Sequence, residues 1–240
     1  EQFEKKWDDL KLFITYGMIT EEKFYDRATK FSLLKNTDGK YFTFDEYEKL
    51  IKTNQKDKNN TLVYLYANDK DVQHSFIESA KSKGYDVLLM DGQLDTHFIN
   101  HIEHKLKDTR FSRVDADIID KLILKDELKE DVLNEDEKAD LGKVFESQIP
   151  DKSMFSVGFE VLTEDSAPVT ITQSEFIRRM KDMSALGGGA GFYGNMPDHY
   201  NLIINTKHPL VQKILDEKNK KAGQKLEKIQ LELTPLKEEK

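Results

Sequence analysis

Cysteine is absent from this 240-residue chain. That excludes disulfides, zinc–thiolate centres and cysteine nucleophiles, and it agrees with a cytoplasmic protein. No apolar run approaches the roughly 18 residues that a membrane span needs, and no signal-peptide pattern opens the chain. With a net charge of -8 the chain lacks the basic footprint that phosphate binding requires, so neither nucleic acid nor a membrane is an expected partner. P-loop, G-x-S-x-G and cysteine–histidine patterns are all missing. What is present is 38% hydrophobic and 10% aromatic content, enough for one large or two modest domains with real cores. Charged residues make up 34%, so the elements should be short, amphipathic and well solvated.

Residues 1 to 16 have the pattern of an amphipathic helix with Phe3, Trp7, Leu10 and Ile14 on one face, and Gly17 as its stop. Thr20 is placed to cap a second helix that buries Phe24, Ala28 and Phe31. Thr43-Phe-Asp-Glu46 is a capping box, opening a helix to about Thr53. Thr61 to Ala67 and Tyr85 to Met90 are strand-like. Between them, Asp69 can cap a helix carrying Val72, Phe76 and Ala80, closed by Lys83-Gly84. A helix over Leu94–Lys105 and a strand over Phe111–Asp115 follow, and the helix-length crossover predicts parallel pairing.

From Ala116 to Ser147 the composition shifts to Asp, Glu, Lys and Leu, with a polar break near Asn134, marking a domain junction. Strands are expected over Met154–Leu162, Pro168–Thr172 and Tyr200–Asn205, a helix over Gln173–Leu186, and a last helix opened by His208-Pro209. Leu226, Ile229, Leu233 and Leu236 make a stripe in a charged tail, which is either half of a coiled-coil hairpin or a solvated segment.

Gly189-Ala-Gly191-Phe-Tyr-Gly194 spells the dinucleotide fingerprint, but it follows a helix instead of opening one after a strand, so its N–H groups are not set for a pyrophosphate. Phe176, Met180 and Met183 ahead of it recur as one helical stripe, with Arg178, Arg179, Lys181 and Asp182 on other faces. By pattern alone the stripe is ordinary core; a methionine-rich stripe beside a glycine hinge also suits an adaptable contact surface. His97, His101 and His104 share the spacing of imidazole metal ligands, without the glutamate of H-E-x-x-H, and the plainer alternative is a polar helix flank. Ser156 and Ser174 have no partner that spacing supplies, and His199 and His208 stand as surface or capping residues. No catalytic residue is assigned.

Two stretches carry a family resemblance. Tyr16-Gly-Met-Ile-Thr-Glu-Glu-Lys-Phe-Tyr25 with Lys40-Tyr-Phe-Thr-Phe-Asp-Glu-Tyr47, and the unit ending in Val87-Leu-Leu-Met-Asp91 with Leu94-Asp95, resemble the smaller α/β portion of the middle domain of the heat-shock protein 90 chaperones in their bacterial form. Pro150 to Val211, with Glu175-Phe176 to Arg179-Met180 and Asn205-Thr-Lys-His-Pro-Leu210, is similar to that family's C-terminal domain. The resemblance implies a small α/β/α sandwich over 1–115, followed over 116–240 by a mixed α+β C-terminal domain. The latter comprises a helical junction (116–149), a core with a short three-stranded sheet (150–215) and a truncated charged helical insertion (216–240).

It implies a chaperone fragment that is not itself an enzyme. ATP and magnesium serve the full-length protein through a domain upstream of Glu1, and the helices of its homodimer lie beyond Lys240. No cofactor or metal is expected in this stretch. The expected partners are partly unfolded client proteins. In the family's bacterial members the helix matching Leu94–Lys105 presents Glu, Trp and Asn to clients; the matching residues here are Thr96, His97 and Asn100, of which the asparagine keeps its type. Phe176, Met180 and Met183 match a stripe that the family exposes. The alternatives are a structural scaffold with a buried stripe, and a metal-dependent enzyme built on the three histidines.

Overall fold

A computed structural model describes residues 2–125, 133–164, 166–186 and 197–221, with side chains over the same residues except 182–186. In chain order the elements are α1 (Trp7–Thr20), α2 (Glu22–Ala28), β1 (Leu33–Lys35), β2 (Tyr41–Thr43), α3 (Phe44–Ile51), β3 (Leu62–Ala67), α4 (His74–Ser82) and β4 (Val87–Leu89). They continue with α5 (Asp95–Glu103), β5 (Thr109–Arg113), α6 (Ile119–Leu122), α7 (Glu135–Glu146), β6 (Phe155–Glu160), β7 (Val169–Gln173), α8 (Glu175–Leu186) and β8 (Tyr200–Asn205). Residues 209–221 are helical, so Pro209 does stand at a helix start. The fold is mixed α+β. It divides into two compact units: residues 1–127 with 172–198, and residues 128–171 with 199–240.

In the first unit, β3 pairs in parallel with both β4 and β5, giving the order β4-β3-β5. Every residue of β3 is buried. Because side chains alternate along a strand, Leu62, Tyr64 and Tyr66 enter one apolar cluster with Met18, Tyr47, Ile51, Phe98, Ile99 and Ile102. Val63, Leu65 and Ala67 enter another with Ile77, Ala80, Val87, Leu122 and Ile123. A continuous Val/Leu/Tyr run is what a strand covered on both faces requires. Tyr64 stacks on Phe111 at 4.7 Å between ring centroids. The Thr43–Glu46 capping box forms in full at the start of α3, and Gly84 holds a φ of +73° beyond α4.

Several local expectations are corrected. Gly17 does not end α1, which runs on to Thr20. A Cβ at Gly17 would lie 2.9 Å from the Phe24 ring, so glycine there permits close approach of α2 instead of stopping a helix. Thr20 caps nothing; its hydroxyl donates to the Tyr16 carbonyl. The buried positions of α1 are Trp7, Thr15 and Met18, while Phe3 and Leu10 are exposed. Phe31, expected on the buried side of the second helix, is also exposed, as is Val72. Asp69 accepts the N–H groups of Asp71 and Val72 and closes a turn, and α4 starts only at His74.

In the second unit the sheet order is β6-β8-β7, with β6 and β8 parallel in the register Phe155↔Tyr200 to Glu160↔Asn205. The core is Leu133, Leu141, Ile204, Val211 and Leu215, with Val157 and Phe159 packed against it. The polar break at Asn134 is an N-cap: its side chain accepts the Glu137 N–H, and Glu137 accepts in return, a second capping box. The glycine motif at 189–194 and the leucine stripe of the charged tail lie outside the described residues.

Candidate functional site

The two groups of residues singled out as contact positions sit on α5 and α8, and both helices belong to the first unit. The first turns of α8 have two unlike sides. On one, the Glu175 carboxylate accepts four hydrogen bonds: from the Tyr66 hydroxyl at 2.6 Å, the Arg113 backbone N–H at 2.9 Å, Arg178 Nη2 at 2.8 Å and Arg179 Nε at 2.7 Å. Arg179 reaches onward to α5 and β5. Its Nη1 donates to Glu103 Oε2 at 2.6 Å and to Asn100 Oδ1 at 3.1 Å, and its Nη2 to the Phe111 carbonyl at 2.8 Å. Arg113 is clamped by Asp115 at 2.5 and 2.6 Å, and Arg178 Nη1 lies 3.8 Å from the same carboxylate.

Three guanidinium groups and three carboxylates therefore interlock at the carboxyl ends of β3 and β5. Burial pushes the Glu175 carboxyl up, but Arg178, Arg179, the Tyr66 hydroxyl and the Arg113 N–H outweigh it and hold it below the usual carboxylate value. Burial, with Glu175 beside it, pushes the Tyr66 phenol up to about 12. The neighbouring carboxylates raise both Arg178 and Arg179 against their own burial. Four donors converge on the one Glu175 carboxylate, and hydrogen bonds made in numbers between elements tie them into one geometry.

On the other side of α8, Phe176 is 71% exposed. Met180 is half-buried, and the Met183 side chain lies outside the described residues. An aromatic ring held in water by a helix locked through its polar side is not ordinary core. Asn100 is joined to α8 through Arg179, and Thr96 and His97 lie one turn earlier on α5, all three half-buried. Thr96 and Arg178 also line one cavity of about 280 Å³. The α5 and α8 residues, read separately from sequence, are thus linked by a single arginine.

The three histidines are not gathered. Among the described residues no group of three or more His, Asp or Glu side chains could hold a metal ion. His101 packs edge-on against Tyr25 at 5.4 Å, and burial pushes its imidazole pKa down, away from protonation. His104 is exposed and His97 half-buried, so the helix turns the three into different surroundings.

Two arrangements escaped sequence reasoning. The first is the Glu175 network, whose local signal was an acid followed by arginines at i+3 and i+4, and whose partners Arg113 and Tyr66 lie 62 and 109 positions away. The second is Ser156 Oγ, 2.8 Å from His199 Nε2 on an exposed edge of the second unit. The β6–β8 register brings that pair together. Asp198, next to His199 in sequence, is engaged by Lys181 and Gln173.

Compared with known proteins, the chain matches the family model described as Hsp90 protein over residues 1–233. It is similar to the chaperone protein htpG of Bacteroides fragilis, 52% identical over 234 residues, which is 97% of this chain and 34% of that protein. The chaperone protein HtpG of Porphyromonas gingivalis is 48% identical over 239 residues, 99% of this chain and 35% of that protein. An endoplasmin homolog of Arabidopsis thaliana is 23% identical over 223 residues, 90% of this chain and 26% of that protein. The chain thus spans about a third of the length of the bacterial relatives it matches.

Proposed function

This chain belongs to the Hsp90 family, and from that premise we propose that it serves a molecular chaperone by holding partly unfolded client proteins against an adaptable face of α5 and α8. The observation that carries this is Phe176, 71% exposed on a helix whose opposite side is fixed by the Glu175 network. Exposed apolar side chains next to methionine fit many sequences, because they bury area without demanding one partner geometry. Phe176, Met180 and Met183 supply the apolar contacts on α8; Thr96, His97 and Asn100 supply a polar patch on α5, where Asn100 also holds Arg179.

On this reading residues 1–115 are the small α/β/α sandwich that ends the middle domain, and 116–240 the C-terminal domain with its short sheet. In the full-length protein, a homodimer in the cytoplasm, ATP and magnesium bound by another domain would drive closure and change how the face is presented. The stretch itself holds clients without catalysing a reaction.

A fluorescent, partly unfolded model protein tests this directly. The chain should bind it, and a Phe176→Ser, Met180→Ser, Met183→Ser variant checked for folding should bind at least about tenfold more weakly, because three apolar contacts are removed. Equal binding by both sinks the assignment of the face; binding by neither favours a scaffold role.

A further inference from the structure

The first unit contains a second, larger cavity of about 440 Å³, lined by α1 and by the loop that leads into α5. Its floor is apolar, with Met18, Leu34, Met90 and Phe98 all buried. Two buried donors line it without a strong acceptor. Trp7 is 3% exposed, and its Nε1 has no hydrogen-bond partner among the described residues. Ser32 is 2% exposed, and its hydroxyl donates to the Met18 thioether at 3.2 Å, a weak acceptor. A buried donor left without an acceptor is unfavourable, and the two residues that carry these donors both line this cavity.

The charged groups at the rim are already engaged. Lys11 donates to Asp95 at 2.6 Å and lies 3.7 Å from Asp91, and Lys35 pairs with Asp8 at 2.7 Å. Two lysines facing three carboxylates leave no surplus positive charge to draw in an anion. The cavity has the size of a small-molecule site, with an apolar lining and few polar groups. What the two buried donors lack is a strong acceptor of their own.

We propose that this cavity binds a small uncharged amphipathic ligand, with an aromatic-sized apolar body on the Met18–Phe98 floor and a carbonyl oxygen that accepts the Trp7 N–H, Ser32 being the second donor. The site is separate from the exposed side of α8 and does not depend on the client-binding proposal.

Trp7 is the sole tryptophan of the chain, so intrinsic fluorescence reports on the cavity wall. Prodan, an uncharged naphthyl ketone, is a suitable probe: its emission responds to hydrogen bonding at the carbonyl, and it accepts energy from tryptophan. Titration into the full chain should give saturable, single-site binding with matched quenching of Trp7. Ser32→Ala should weaken binding roughly fivefold, the usual worth of one hydrogen bond. Trp7→Phe, which keeps a ring but removes the N–H, should do the same, read on prodan's own emission. Phe176→Ser should leave binding unchanged. Absence of saturable binding, binding without Trp7 quenching, full affinity in Ser32→Ala and in a folded Trp7→Phe, or loss in Phe176→Ser would each overturn the proposal.

Discussion

Two carboxylates of the first unit, Asp95 buried and Glu175 half-buried, behave in opposite ways. Glu175, where α8 meets the sheet ends, sits between two arginines and also takes a hydroxyl and a backbone N–H. Asp95, at the start of α5, has one lysine, Lys11 at 2.6 Å, and the Gly92 N–H at 2.9 Å. Both lose much of their contact with water, Asp95 more completely than Glu175. Burial raises the Asp95 carboxyl, and Lys11 with the Gly92 N–H does not make up for it. The four partners of Glu175 more than make up for the same effect. Burial thus does not decide whether an internal charge ties a fold together; the number of donors reaching it does.

The sharpest way to break this contrast is Glu175→Gln. The side chain keeps its shape, but its charge is lost and an NH₂ group faces the guanidinium groups of Arg178 and Arg179. Leaving buried charges uncompensated costs about 2–4 kcal/mol, and α8 should loosen from α5. Urea unfolding and amide exchange along α8 would read it; a loss under about 1 kcal/mol would mean the network is ornamental.

Tyr66→Phe removes one of the four donors and leaves the ionic partners in place. A hydrogen bond to a charged group suggests a loss of about 1–2 kcal/mol, smaller than Glu175→Gln and visible in the same unfolding curves. Asp95→Asn should come lower still, within about 1 kcal/mol of the wild type at pH 7. It relieves a disfavoured charge, and Lys11 keeps Asp91 at 3.7 Å. If Asp95→Asn destabilised as much as Glu175→Gln, donor number would not be the rule.

The same two residues separate on acidification. Glu175 has a folded value below its unfolded one of 4.5. Its contribution is therefore present above the unfolded value and lost as pH falls through the folded one. Asp95 has a folded value above its unfolded 3.8, so the folded state holds that proton more tightly and gains stability as pH falls through the raised value. Unfolding free energy measured from pH 7 down toward pH 4 should fall more steeply in Asp95→Asn than in the wild type, because that gain is gone. In Glu175→Gln the fall below about pH 4.5 should be shallower.

What the sequence made legible was local. The Leu-Val-Tyr-Leu-Tyr-Ala run of β3, the Thr43–Glu46 capping box and the parallel pairing across α4 each depend on neighbours within one element or one crossover. What it hid was tertiary. Gly17 looks like a helix stop until the Phe24 ring is placed 2.9 Å from where its Cβ would be. Spacing put Arg178 and Arg179 only on faces other than the stripe, and it could not show that Glu175, Glu103 and Asp115 pair with them. The segment after Thr172, expected with the C-terminal part of the chain, is grouped with the first unit. The exposed side of α8 was half legible: spacing grouped Phe176 with Met180 and Met183, but pattern alone could not say which way the group faces.

The smallest stability effect tests the other side of that helix. Phe176→Ser removes a ring that is already 71% exposed, so folding should change by no more than about 0.5 kcal/mol. Apolar area that stays in water in the folded chain contributes little to folding and remains available to a partner. If Phe176→Ser left the unfolding midpoint in place while weakening capture of a partly unfolded protein, α8 would divide cleanly, one side holding the fold and the other left free to bind. A loss of more than about 1 kcal/mol would instead make Phe176 part of the fold's own packing, and the exposed stripe would cease to support a client surface.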